Sequence, residues 1–217
     1  MADRPILFSS LMIAALLAGR KTQTRRLCRP ANEAALSYVV HIDDAIAAPG
    51  WFGDEEGEMS FFAGYAPGDR LWVREAWRTH RAYDDLKPSE MGGDETVWPE
   101  LDRDNCDAHG RYRHGRFMPR WASRITLIVK DVRVQRLSEC SVDDAVAEGL
   151  QWVVPGMWAV AHSLPIIGED PRSVYAQLWD HINGDGAWAA DPWVVAVSFD
   201  VLKANIDNLA VLEAAHG

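Results

Sequence analysis

The chain has 217 residues, 48% of them hydrophobic, enough to bury a real core in one domain that carries insertions. Its 22 basic and 32 acidic residues give a formal net charge of −10, which excludes sequence-blind binding to duplex DNA through a broad cationic surface. Cys28, Cys106 and Cys140 are odd in number and far apart, so no disulfide framework is implied and a reduced, cytoplasmic setting is expected.

In chain order, "PILFSS" (5–10) predicts a short strand ending at a serine that caps a helix. The apolar run "LMIAALLA" (11–18) is too short to span a bilayer and lacks a basic leader, so it is expected as a buried helix rather than an anchor. Gly19 is placed to close that helix in a left-handed conformation. The next residues change character: Arg20, Lys21, Arg25 and Arg26 follow, with Thr22 and Thr24 between them. Lys21 and Thr24 are expected in the turn just beyond the helix.

Residues 27–66, with Pro, Gly and acidic clusters, are expected as a first insertion holding strands near 38–42 and 60–65. "PGDRLWVREAW" (67–77) reads as a turn followed by a strand, with Leu71 and Val73 on one face and Trp72, Arg74 and Trp77 on the other. Glu75 sits on that strand, where it pairs with a cation or contacts substrate. Residues 79–117 are polar and lack sustained periodicity, a second, largely irregular insertion. The β-branched stretch 122–137 predicts one bent strand or two consecutive ones.

"SVDDAVAEGL" (141–150) carries a helix signature: Ser141 at the cap, Asp144 at the capping-box position, a stripe of Val142, Ala145 and Val146, and Gly149 as the stop. "EDPRSVYAQLWDHINGDG" (169–186) predicts a second helix, capped by Asp170, with Pro171 at its first position and Val174, Leu178 and Ile182 as its stripe. "PWVVAVSFDV" (192–201) is a closing strand, and the tail is expected to be helical or frayed. Strands outnumber helices without βαβ alternation, which predicts an α+β fold: a small mixed β-barrel or curled sheet with peripheral helices.

Two positions stand out chemically. Lys21 lies among arginines, and a lysine whose pKa falls through burial or cationic neighbours can act as a base. Cations after a helix C-terminus also complement its dipole, so a structural role competes with that reading. Glu148 is a carboxylate at the end of a short helix, where the dipole opposes it, so it is either tolerated on a solvated surface or kept for a purpose. Ten tryptophans fill a core or stack on flat ligands. In "GRYRHGRFMPRWASR" (110–124), five arginines alternate with Tyr112, Phe117 and Trp121, a pattern that suits either phosphate contact with base stacking or pairing with the acidic 84–107 segment. Cys106, His109 and His114 match no strong zinc spacing, and no metal or organic cofactor is expected. A phosphate loop, a dinucleotide fingerprint and a nucleophile elbow are all missing from the sequence.

Taken together, "LLAGRKTQTRR", "GDRLWVREAW", "LSECSVDDAVAEGL" and the closing "WVVAVSFDV" resemble an ASCH domain of the PUA-like superfamily. "MPRWASRITL" and "LWDHINGDGAW" resemble its longer, often phage-associated members. The resemblance implies a PUA-like barrel as a single domain over 1–217, with the insertions at 27–66 and 79–117 added to it. It further implies the site of the bacterial members that hydrolyse N4-acetylcytidine, whose lysine, threonine and glutamate map onto Lys21, Thr24 and Glu148. The expected activity is metal-independent hydrolysis of the amide on the exocyclic amine of an N4-acylated cytidine or related nucleoside. Lys21 then serves as base toward Thr24 or a water, Glu148 orients Lys21 or protonates the departing amine, and Arg20 or Arg26 stabilises the oxyanion. Trp72, Trp77 or Trp121 stacks on the base, with Glu75 as a further contact. The partners expected are a small nucleoside and RNA, without membrane or duplex DNA. The competing expectation is a non-catalytic RNA- or nucleotide-binding module, or a ribonuclease using the same lysine.

Overall fold

The computed structural model describes residues 1–42, 49–104, 106–160 and 164–209. Thirteen short and long strands alternate irregularly with four helices among these residues. In the first third they are β1 (Asp3–Leu7), α1 (Ser10–Leu17), β2 (Gln23–Leu27), α2 (Arg29–Glu33), β3 (Val40–His41), β4 (Trp51–Gly53) and β5 (Ser60–Phe62). The middle contributes β6 (Arg70–Arg74), β7 (Trp77–Arg78), β8 (Trp98–Pro99) and β9 (Thr126–Arg136). The last third holds α3 (Val142–Ala147), β10 (Gln151–Val154), β11 (Met157–Ala159), β12 (Ile167–Gly168), α4 (Pro171–Asn183) and β13 (Trp193–Leu202).

The chain divides into two compact units, each assembled from separated stretches. The first holds Ala18–Asp69 and Val129–Asp200 with Met1; the second holds Ala2–Leu17, Arg70–Ile128 and the chain from Val201.

In the first unit β13 lies next to β9 and pairs antiparallel with β2, placing Val197 opposite Thr24 and Ala196 opposite Arg25. The alternation of a strand therefore governs the basic segment: Gln23 and Arg25 face one way, Thr24 and Arg26 the other. The expected turn at Lys21–Thr24 is thus shorter than anticipated, because ladder hydrogen bonds with β13 extend back to Gln23. Ser141 caps α3 by accepting from the Asp144 backbone N–H, and Asp144 returns a bond to the Ser141 N–H, the reciprocal pattern read from the sequence. The α4 N-terminus is held by Asp170, which accepts from the backbone N–H groups of Arg172 and Ser173. Both helices bury one face on a core that includes Leu137, Ala145, Leu150, Val174, Leu178 and Val194. Two stripe positions fall outside it: Val142 and Ile182 are exposed, since each lies at a helix end beyond the packed turn. The first insertion is a β3–β4–β5 meander plus α2, and Asn32 ties α2 to β13 by bonding both the carbonyl and the N–H of Trp193.

In the second unit β1 runs parallel to β6, and β6 pairs antiparallel with the first residues of β9. The alternation of β6 keeps Leu71 and Val73 on one face and Trp72 and Arg74 on the other, and both faces are covered, with Trp72 packed against Ile206 and Leu209. The second insertion is built from single 3₁₀ turns and the β7–β8 pair, around a small core of Trp77, Met91, Met118 and Ala122.

Among the described residues neither unit contains a sheet that closes on itself, so several open sheets stand where a barrel was expected. A closed barrel requires the first and last strands of one sheet to pair, and no such ladder forms here. The α+β class is retained, with strands predominating over helices. The tail from 210 onward lies outside the described residues.

Candidate active site

The first unit concentrates ionisable side chains at the junction of β2 and the end of α3. Lys21 and Glu148 form an isolated antiparallel bridge, and the Thr22 N–H donates to the Ala147 carbonyl at 2.9 Å. The Thr22 carbonyl accepts from the Phe199 N–H at 2.9 Å, so the backbone just after Lys21 is held at both polar groups of Thr22. Gly149, with φ of 107°, then turns the chain in a conformation that L side chains rarely adopt and leaves Glu148 at the cap.

Lys21 is fully buried, and its Nζ donates to the Glu148 carboxylate at 2.7 Å and to the Glu148 carbonyl at 2.9 Å. Arg25, also buried, donates to the other Glu148 oxygen at 3.2 Å and to Gln23 Oε1 at 2.6 Å. Its Nη2 lies 2.9 Å from Asp144 Oδ2 without hydrogen-bond alignment, so that contact is an ion pair, and its Nε has no hydrogen-bond partner. Arg133 holds the second Asp144 oxygen at 2.8 Å. Thr24 is buried on the opposite face of β2 from Gln23 and Arg25, and its hydroxyl accepts from Arg26 Nη1 at 3.1 Å. Arg20 donates to the Gly149 carbonyl at 2.9 Å.

Burial holds the Lys21 ammonium below its ordinary pKa; Glu148 opposes this, while the charges of Arg26 and Arg25 reinforce it. Arg26 thus acts on Lys21 through its charge and on Thr24 through a hydrogen bond. The Tyr175 phenol on α4 is pushed well up, first by burial and then by the Glu148 charge. Burial raises the Cys140 thiol to about 11, which favours the protonated thiol over the thiolate. Asp144 falls to about 2: burial acts upward, but the Arg133 hydrogen bond, the Arg25 charge and the Ser141 backbone bond outweigh it.

The arrangement supplies a lysine that can lose its proton, a carboxylate that holds it, and two arginines that cannot deprotonate. Glu148 is buried, against the solvated-surface alternative. The sequence reading missed Asp144, Gln23 and Tyr175 as members of the network, and it did not assign Arg25 to Glu148. The signal for Gln23 and Arg25 was the two-residue alternation of a strand, hidden because the segment was read as a turn. For Tyr175 the only signal was its place beside Val174 on the buried face of α4.

The other four expected residues belong to the second unit and are engaged there. Glu75 is buried in a two-point pair with Arg124, at 2.8 and 3.1 Å. Trp77 is entirely buried, so it has no face on which a base can stack, and that expectation is corrected. Trp72 is buried against Ile206 and Leu209, with the Arg74 guanidinium 4.5 Å from its ring centre, which removes its open face as well. Trp121 is half-buried and packs edge-on against Trp77. The three cysteines are free thiols. The trio weighed for metal divides: Cys106 and His109 lie with Asp104, donor atoms within 4.8 Å of one another, whereas His114 caps a 3₁₀ turn by accepting from the Arg116 N–H. His109 approaches Asp104 at 3.3 Å, an approach that a histidine–carboxylate contact accounts for.

No family model and no curated protein matches the chain. Among solved structures, protein EF3133 from Enterococcus faecalis V583, described as a DUF984 family member, is similar over 97% of this chain and 81% of its own, with 11% identity and a TM-score of 0.40. Among the described residues no helix is long and apolar enough to cross a membrane.

Proposed function

We propose that the chain is an ASCH-type amidohydrolase that removes an acyl group from the exocyclic amine of an N4-acylated cytidine or related nucleoside. The observation that carries this reading is the buried Lys21–Glu148 pair, in which Lys21 is held below its ordinary pKa. Arg25 also neutralises Glu148, and arginine keeps its proton, so Lys21 is the cation of the group that can give its proton up.

In this scheme Thr24, which lies on the other face of β2 from Arg25, turns toward Lys21 when substrate enters, and neutral Lys21 takes its hydroxyl proton as the oxygen attacks the amide carbonyl. Arg26, already donating to that hydroxyl oxygen, favours the developing alkoxide. Collapse of the tetrahedral intermediate returns the proton from Lys21 to the leaving amine and leaves an ester on Thr24. Water then hydrolyses the ester, with Lys21 again as base, giving the acid and free Thr24. Glu148 orients Lys21 throughout. The same lysine can instead activate water directly, in which case no ester forms. Lys21, Thr24 and Glu148 are 0%, 1% and 6% exposed, so substrate entry requires the covering residues to move, while half-buried Arg20 and Arg26 are the members nearest solvent.

The test is incubation of purified protein with N4-acetylcytidine, following free cytidine by chromatography. Wild-type protein is expected to release cytidine, and Lys21→Ala, Thr24→Ala and Glu148→Ala, checked for folding by circular dichroism, to lose at least a hundredfold in rate. Unchanged turnover in all three would place the chemistry elsewhere.

A further inference from the structure

The second unit contains a groove of about 790 Å³, lined in part by Arg74, Lys87, Arg111, Arg113 and Arg116, with no carboxylate in its lining. This is unusual in a chain of net charge −10. The five arginines between 111 and 124 divide by their partners. Arg120 is tied to Asp3 and Asp207, Arg124 to Glu75 and Asp102, and Arg113 to the carbonyls of Leu86 and Tyr83. Those three are structural. Arg111 and Arg116 are exposed, and among the described residues neither is paired with a carboxylate. Two acidic groups of this region have other contacts: Asp84 accepts from the Arg111 backbone N–H, and Glu90 faces Lys87 at 3.6 Å.

Next in the chain to each of these arginines stands an exposed ring, Tyr112 after Arg111 and Phe117 after Arg116, 51% and 59% exposed. Phe117 has no place in the unit's own core of Trp77, Met91, Met118 and Ala122, and Tyr112, with the Arg78 guanidinium 5.8 Å from its ring centre, still leaves ring surface exposed. Unpaired cations answer phosphates, and exposed ring faces answer nucleobases, which is the pairing that single strands present and duplexes conceal. The volume is within the range of about 300–1,000 Å³ that holds small ligands and short chain segments.

From this juxtaposition we propose that the groove binds a short single-stranded nucleic acid, with Arg111 and Arg116 on its phosphates and Tyr112 and Phe117 stacked on its bases. This site is distinct from the Lys21–Glu148 group and does not rest on the amidohydrolase reading. The test is fluorescence anisotropy of the full chain with a labelled eight-nucleotide oligouridine and the matching deoxy-oligomer, repeated across a salt series. Binding of either strand, weakening as salt rises, is expected. Arg111→Glu with Arg116→Glu is expected to weaken it at least tenfold, and Tyr112→Ala with Phe117→Ala at least fivefold. All four side chains are exposed, so the variants are expected to melt like wild type. Absence of binding to both strands overturns the proposal, as does binding that neither pair of substitutions alters. Sensitivity to the charge reversals alone, with inorganic polyphosphate competing as well as oligouridine, would mean an anion site without base recognition and would equally refute it.

Discussion

Glu148 holds two buried cations, and its removal leaves both without their carboxylate. Stripping one partner from a buried ionic group costs about 3–5 kcal/mol, because the remaining charge stays desolvated. Glu148→Gln is therefore expected to lower stability by that order in urea denaturation, whatever it does to activity. Asp144 provides an acid-range signature. Its folded pKa of about 2 lies below the ordinary 3.8, so it contributes stability that is fully present above 3.8 and lost as pH falls toward 2. That contribution is on the order of 2 kcal/mol. Unfolding midpoints of Asp144→Asn and wild type, measured from pH 5 to pH 2, are expected to converge as the medium is acidified. Lys21 acts with the opposite benefit: a lysine whose folded pKa is lowered destabilises the fold below that pKa, and the cost is relieved as pH rises toward 10.5.

At the scale of elements, the short helix α3 is what delivers Glu148, and its six residues are too few to be stable alone. The Ser141 cap and its reciprocal bond with Asp144 therefore matter beyond the helix itself. Ser141→Ala is expected to cost about 1 kcal/mol in thermal or urea unfolding. The helix boundaries, caps and glycine stops were legible in the sequence because they are set by local chemistry: Ser141, Gly149, Asp170 and Gly19 all act through neighbouring backbone. Gly19 adopts φ of 72°, as its position after the apolar run implied. What was not legible depends on distant partners. Thr24 was read in a turn because nothing local announces its pairing with Val197, which lies far along the chain. Trp77 was read as a stacking surface because a sequence does not reveal that Met91, Met118 and Ala122 enclose it.

For the whole molecule, a net charge of −10 coexists with cations gathered locally, around Glu148 in one unit and along a groove in the other. Pairing Lys21 with Glu148 required the family resemblance, since 127 positions separate them and spacing carries no such information. The expected barrel was not found among the described residues, for closure depends on long-range strand order that local patterns do not encode. The most direct test of the reaction is the pH dependence of cytidine release from N4-acetylcytidine, corrected for buffer hydrolysis, in wild type and Lys21→Met. A rising limb in kcat/KM with an apparent pKa below 10.5, together with loss of the reaction in the variant, is the predicted result. Wild-type turnover by Lys21→Met, or no cytidine release by the native chain at any pH, would contradict it.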